Sequence, residues 1–229
     1  MGLVGGVLQP LYGGFPVTLM SPVDFLQKPL RWLAAISNHQ ATTSGGPDFA
    51  YDLCVRKVES LRKRGEEAEK DLNEQLSSLD LSCWKVAFTG AEPVRFKTIE
   101  RFTDVFSPYG FREEAFYPCY GMAETTLIVS GGSVQARPSV ETLSADELKR
   151  HRVRRLNADK PNSEQSQRCQ VVSCGEILSD YQIEIVHPET MTRVQPGEVG
   201  EIWLFGSSIA KGYWRDSQKT ADCFDAYIV

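Results

Sequence analysis

The sequence predicts an α/β fold, a parallel sheet with helices on its faces, followed by a small β-rich, barrel-like subdomain. Three observations carry this. Residues 1 to about 134 alternate helical and strand-like segments, the pattern of a parallel sheet with helical crossovers. One strand-helix-strand unit is legible residue by residue between Trp84 and Gly121. From about residue 171 the signals change to short strands divided by turns, as in antiparallel pairing.

Taken in order, a Gly-rich helix near residues 3–13 leads into an apolar strand near 15–20, a helix at 29–38, a strand near 40–43 and a helix from Pro47. Residues 56–79 carry dense mixed charge with Leu61, Ala68, Leu72, Leu76 and Leu79 at helical spacing, which reads as a solvated amphipathic helix. Coiled-coil pairing is the weaker alternative, since Gly65 interrupts a short repeat. Trp84-Lys85-Val86-Ala87-Phe88-Thr89-Gly90-Ala91-Glu92-Pro93 is an apolar run of strand formers ending in a tight turn. Val94, Ile99, Phe102, Val105 and Phe106 then give 94–106 an apolar helical face, with Pro93 in the first turn, where a missing N–H costs nothing. A second strand ends at Tyr120-Gly121. Residues 132–170 are polar, with Ser144 and Glu147 forming the Ser-x-x-Glu start of a helix running to His151, then a loop-like or mobile stretch at 157–168. Strands follow at 182–186 and 201–205, separated by Pro188-Glu189 and Pro196-Gly197 turns. This divides the chain into an α/β part (1–134), a connection or insertion (135–170) and a β-rich part (171–229).

Composition narrows the function classes. The chain has 229 residues, 41% hydrophobic and 24% charged, which is globular, and its length suffices for one large or two small domains. A net charge of −5, with no basic run interleaved with aromatics, argues against nucleic acid as a main partner. The apolar start lacks a basic leader and is broken by Gly5-Gly6, Gln9-Pro10 and Gly13-Gly14, so it does not read as a signal peptide, and no segment has the length of a membrane span. Six cysteines form no Cys-x-x-Cys pair and three histidines are scattered, against a zinc site. Cys169 and Cys174 flank a short strand at 170–173, where reduced thiols are favoured over a disulfide. Cys119 reads as a packed thiol rather than a nucleophile, because no histidine lies nearby to activate it.

The chemistry concentrates in Phe116-Tyr117-Pro118-Cys119-Tyr120-Gly121-Met122-Ala123-Glu124-Thr125-Thr126, which sets an aromatic ring, a glycine turn and a carboxylate side by side. Tyr120 offers a flat face to a purine. Gly121, lacking a Cβ, allows a phosphate to approach the backbone. Glu124 is a hard ligand suited to Mg²⁺, or alternatively an acidic residue at a helix N-terminus. In open α/β sheets ligands bind beyond the carboxyl ends of the strands, and both this loop and Gly90-Ala91-Glu92-Pro93 fall there.

These motifs, in this order, resemble the adenylate-forming superfamily of acyl-CoA synthetases, peptide adenylation domains and luciferases, and within it most resemble fatty acyl-AMP ligases. Residues 1–14 resemble the segment after the family's His-Asp pair. Ser44-Gly45-Gly46-Pro47-Asp48-Phe49-Ala50-Tyr51-Asp52-Leu53-Cys54 resembles the acyl-pocket segment, although Asn is more usual at position 48. Val172-Ser173-Cys174-Gly175 is another ligase-like mark, and Gly200-Glu201-Ile202-Trp203 through Gly206, with Gly212-Tyr213-Trp214, matches the late core motif. The charged stretch at about 58–79 has no counterpart.

The resemblance implies a piece of the large N-terminal domain of a cytoplasmic enzyme that converts fatty acid and ATP into acyl-AMP and pyrophosphate. The acyl group would pass to an acyl carrier protein, such as that of a polyketide synthase. The long polar connection favours this over the alternative, an acyl-CoA synthetase; a non-catalytic interaction module is the third reading. It implies Glu124 as the catalytic Mg²⁺ ligand; Gly90, Ala91, Glu92, Pro93, Tyr120, Gly121, Met122 and Ala123 as ATP/AMP-binding; and Ser44, Gly45, Gly46, Phe49 and Tyr51 as the acyl pocket. The family's phosphate loop, His-Asp pair, ribose-binding Asp and catalytic Lys are not in these residues. The expectation is therefore a fragment of a longer gene product, or a product of an alternative start, inactive by itself.

Overall fold

The computed structural model describes residues 2–156, 168–178 and 181–229. Its centre is a mixed five-stranded sheet in the order β1 (Thr43–Gly46), β2 (Val86–Thr89), β3 (Phe116–Tyr120), β4 (Ser130–Gly131) and β7 (Glu176–Ile177). The first three strands run parallel, with Gly45 opposite Phe88 and Ala87 opposite Phe116. β4 turns back antiparallel on β3, and β7 antiparallel on β4. β5 (Val140–Ser144) pairs with β6 (Arg168–Val172), and β8 (Tyr181–Val186) with β9 (Glu201–Gly206), as two separate antiparallel pairs.

The helices are α1 (Gln9–Gly13, after a π turn at Val4–Leu8), α2 (Pro22–Gln27), α3 (Leu30–His39), α4 (Asp48–Arg62), α5 (Glu66–Ser77), α6 (Phe96–Phe106), α7 (Ala145–Lys149) and α8 (Ser217–Phe224). The strand-helix-strand unit read from 84–121 is present as β2, α6 and β3. α4 and α6 lie together over the sheet because each turns an apolar stripe inward: Tyr51, Val55 and Val58 from one, Ile99, Phe102 and Phe106 from the other. Trp84, Phe111 and Phe116 complete an aromatic cluster in which Phe102 sits 4.9 Å from Phe111 and 5.1 Å from Tyr51, ring to ring. Truncating such a fully buried ring costs about 3–5 kcal/mol, so this cluster sets the positions of the strand ends above it.

Four expectations need correction. Residues 15–20 form no strand; Phe15, Val17 and Leu19 are exposed, and Pro16 has no N–H for a ladder. The strand expected at 40–43 lies at Thr43–Gly46, because Gln40 takes a left-handed conformation (φ 50°) that closes α3. The 56–79 stretch is two helices, broken where Gly65 adopts φ 108°, and it is not wholly solvated: Leu72 and Leu76 are fully buried. Pro93 lies outside α6, which starts at Phe96 after a loop in which Ala91 has φ 66°. The Ser144 cap is as expected, its hydroxyl accepting the Glu147 N–H. The cysteines at 169 and 174 are both free thiols. Of the loop expected at 157–168, all but Arg168, which opens β6, lies outside the described residues.

Candidate functional site

Because β1, β2 and β3 are parallel, their carboxyl ends lie side by side, and the segments leaving them, 47–49, 90–95 and 121–126, share one edge of the sheet. Two carboxylates lock the first two segments together. The Glu92 carboxylate accepts the N–H of Phe49 at 2.7 Å, satisfying a free donor in the first turn of α4. Asp48, 3% exposed, returns the favour to α6: its oxygens accept the Arg95 N–H and the Thr98 hydroxyl, both at 2.9 Å. Each helix start thus receives an acidic residue from the other's: Glu92 from the loop before α6, Asp48 from the first position of α4. Burial lifts the Asp48 carboxyl above its usual range, against the opposing pull of those hydrogen bonds.

The second and third segments meet without room to spare. A Cβ on Gly90 would stand 2.5 Å from the Cys119 carbonyl oxygen, and one on Gly121 would stand 1.8 Å from the carbonyl oxygen of Leu127. Gly121 therefore needs to be glycine because the chain doubles back on it, a different reason from the open approach for phosphate inferred from sequence. Val129 N–H donates to the Tyr120 carbonyl at 2.8 Å, closing this return. The Tyr120 side chain is half-buried, its hydroxyl pushed upward in pKa by burial, with Cys174 and Glu124 adding to it. The Cys119 thiol touches the Thr89 carbonyl at 3.4 Å, and burial raises its pKa to about 11, the state of an unreactive thiol.

Glu124 sits in a short turn at Ala123–Thr125 and is gripped from far along the chain. The Tyr213 hydroxyl donates to Glu124 Oε1 at 2.5 Å, and the Ala210 N–H donates to the Glu124 carbonyl at 2.7 Å. Thr126, held at φ 72°, donates its hydroxyl to the Ser208 carbonyl at 3.0 Å. The phenol first, then a backbone N–H, keep the Glu124 carboxyl below its usual range, so it is ionised at neutral pH. Among the described residues Tyr213 is the one side chain that hydrogen-bonds this carboxylate, and it does so at Oε1. An ionised carboxylate whose Oε2 no other side chain occupies fits what Mg²⁺ takes from a protein when phosphates and waters supply the rest.

The expected acyl-pocket residues are not gathered on this edge. Tyr51 is fully buried among the core rings, its hydroxyl donating to the Phe88 carbonyl at 2.8 Å. The Ser44 hydroxyl accepts the Trp32 indole N–H at 2.8 Å, and Gly45 lies under the Phe88 carbonyl, where a Cβ would come within 2.1 Å. Phe49 is exposed beside Glu92. A cleft of about 220 Å³ near Phe116, Pro118, Arg137, Ser139, Ser173 and Glu176 includes none of the expected site residues. Tyr213, within the Gly212-Tyr213-Trp214 motif, joins the site through a contact 89 positions distant, which leaves no local signal in the sequence.

This arrangement defines an α/β protein with a half-buried tyrosine and an ionised carboxylate at the carboxyl end of a parallel sheet. The chain belongs to the AMP-binding enzyme family, whose profile matches residues 1–214. It is 45% identical over 218 residues to the medium-chain fatty acid acyl-carrier-protein ligase TtuA of Teredinibacter turnerae, covering 95% of this chain and 31% of that protein. It is 42% identical over 227 residues to JamA of Moorena producens, a ligase of the same description, covering 99% of this chain and 36% of JamA. Its fold matches a fatty acyl-adenylate ligase from Legionella pneumophila, solved with acyl adenylate and pyrophosphate, with a TM-score of 0.85 and 42% identity over 100% of this chain and 37% of that one. The chain thus spans about a third of the length of these relatives. No described helix is long and apolar enough to cross a membrane.

Proposed function

We propose that these residues form part of an enzyme that adenylates a fatty acid, with ATP as the donor and pyrophosphate as the product, and that hands the acyl group to an acyl carrier protein. The observation that carries this reading is the meeting of Tyr120 and an ionised Glu124, held by Tyr213, at the carboxyl end of the parallel strands. The names of the two carrier-protein ligases and the acyl-adenylate in the Legionella structure support the substrate class.

In this reading a weak nucleophile, the fatty carboxylate, attacks the α-phosphorus of a polyanion, so catalysis consists of positioning and charge neutralisation. Tyr120 stacks on the adenine, Gly90, Ala91, Glu92 and Pro93 border the base on the other side, and Gly121, Met122 and Ala123 border the phosphate and acyl path. Glu124 holds Mg²⁺, which supplies charge neutralisation at the phosphates when bound. Ser44, Gly45, Gly46 and Phe49 line the approach of the acyl chain, and Tyr51 supports them from the core. A polyketide synthase carrier as acceptor, a cytoplasmic setting and a division at 134 and 170 belong to the same proposal. The 229-residue chain by itself makes no acyl-AMP, because too little of the machinery that stabilises transferred phosphate charge lies within it.

The test supplies the complete polypeptide that carries these residues with ATP and medium- and long-chain fatty acids, and follows acyl-AMP by mass spectrometry before adding holo acyl carrier protein or CoA. Acyl-AMP followed by acyl carrier protein loading is expected. A CoA thioester formed in preference identifies an acyl-CoA synthetase instead, and no fatty-acid-dependent pyrophosphate release refutes the adenylation reading.

A further inference from the structure

We propose that Tyr213 is a positioning residue for Glu124: its phenol occupies one carboxylate oxygen and so fixes the other as the oxygen offered to a divalent cation. This rests on the reading of Glu124 as the cation ligand. The segment that delivers Tyr213 is already fastened to the Glu124 turn by backbone groups, Ala210 N–H to the Glu124 carbonyl and Thr126 hydroxyl to the Ser208 carbonyl. Fastening therefore does not need the phenol. What the phenol adds is a direct bond to the carboxylate at 2.5 Å, which selects one orientation of a side chain on an otherwise open turn.

Tyr213 is itself built into place. Its N–H donates to the Thr220 hydroxyl at 2.9 Å, and that hydroxyl donates to the Asp216 carbonyl at 2.7 Å in the turn that opens α8. Phe224 meets the ring edge-on at 5.4 Å, and the Lys219 ammonium lies 4.5 Å from its centroid. Gly212, at φ 139°, permits the approach, since a Cβ there would stand 2.4 Å from the Thr220 methyl. A supporting shell of this kind is what a pre-set ligand requires, because a carboxylate free to rotate loses the advantage of a fixed geometry.

The experiment counts bound Mn²⁺ by electron paramagnetic resonance in the complete polypeptide, with ATP present and fatty acid absent, so that no turnover is needed. Tyr213→Phe should raise the half-saturating Mn²⁺ concentration by about threefold or more, the scale of one solvent-screened hydrogen bond to a charged group. Glu124→Gln should raise it at least as far, and the double variant no further than Glu124→Gln alone, the non-additivity expected of one unit. Trp214→Leu, a change at a neighbour 87% exposed, should leave it unaltered. A folded Tyr213→Phe with Mn²⁺ half-saturation within about twofold of the parent, or an effect that adds fully to that of Glu124→Gln, overturns the positioning role. Should Glu124→Gln itself change nothing, the cation reading fails and takes this inference with it; a response to Glu124→Gln with none to Tyr213→Phe sinks the inference alone.

Discussion

Replacing Asp48 separates the two jobs its carboxyl performs, capping α6 and carrying a charge where water is excluded. In Asp48→Ala the Arg95 N–H and the Thr98 hydroxyl, each 2.9 Å from the carboxyl, lose their acceptor at a position 3% exposed. Leaving buried donors unpaired costs about 1–3 kcal/mol, in the range of a lost helix cap. Asp48→Asn keeps an oxygen for Arg95, lets the Thr98 hydroxyl turn to accept from the amide, and removes the charge. It should be less destabilising than Asp48→Ala by at least about 1 kcal/mol near neutral pH.

The pH dependence has a definite sign. Burial raises the Asp48 pKa in the folded chain, so the folded state binds this proton more tightly than the unfolded one. That contribution to stability is complete below the unfolded value of about 3.9 and is lost as pH rises through the folded value. Relative to the parent, Asp48→Asn should therefore gain stability between pH 4 and pH 7. Urea unfolding followed by tryptophan fluorescence measures this, with Trp84, 1% exposed, as the internal reporter. If Asp48→Asn were as destabilising as Asp48→Ala at pH 7 the capping argument would be wrong, and if its stability relative to the parent fell between pH 4 and pH 7 the buried-charge argument would be.

Two further outcomes follow from the same geometry. Gly121→Ala should destabilise the fold by about 1–3 kcal/mol through overpacking, since its Cβ would overlap the Leu127 carbonyl at 1.8 Å; a urea midpoint equal to the parent's would contradict this. With a thiol-reactive dye at pH 8 the exposed Cys223 should react first and Cys119, raised to about 11, more slowly by at least tenfold; mass-mapped labelling that finds Cys119 first would revive it as a reactive group.

What was legible in the sequence was what local pattern controls. The apolar stripe of 94–106, the Ser144 cap and the strand ending at Tyr120 all depend on residues within a few positions of one another, and each stands in the structure. Strand placement failed where partners decide it: β1 starts only after Gln40 closes α3 and pairs through Gly45, where a Cβ would come within 2.1 Å of the Phe88 carbonyl, and 15–20, with strand-forming residues, pairs with no described strand. Tyr51 looked like a site residue by its motif, yet its neighbours in the fold are Trp84, Phe102 and Phe116. The Glu124 turn was visible as a cluster of suitable chemistry. Its grip by Tyr213 and Ala210, and the exchange of caps between Asp48 and Glu92, join segments brought together only by tertiary folding.

The central claim, that Tyr120 is the face on which the adenine of an acyl-adenylate lies, is tested most directly by calorimetry of a non-hydrolysable acyl-adenylate binding to the complete polypeptide and its Tyr120→Ala variant. Loss of a stacked aromatic is worth about 1–3 kcal/mol, or roughly five- to 150-fold in Kd, and the account predicts a weakening within that range. An unchanged Kd in a folded Tyr120→Ala variant would contradict it and return the Tyr120-to-Glu124 turn to a purely structural role.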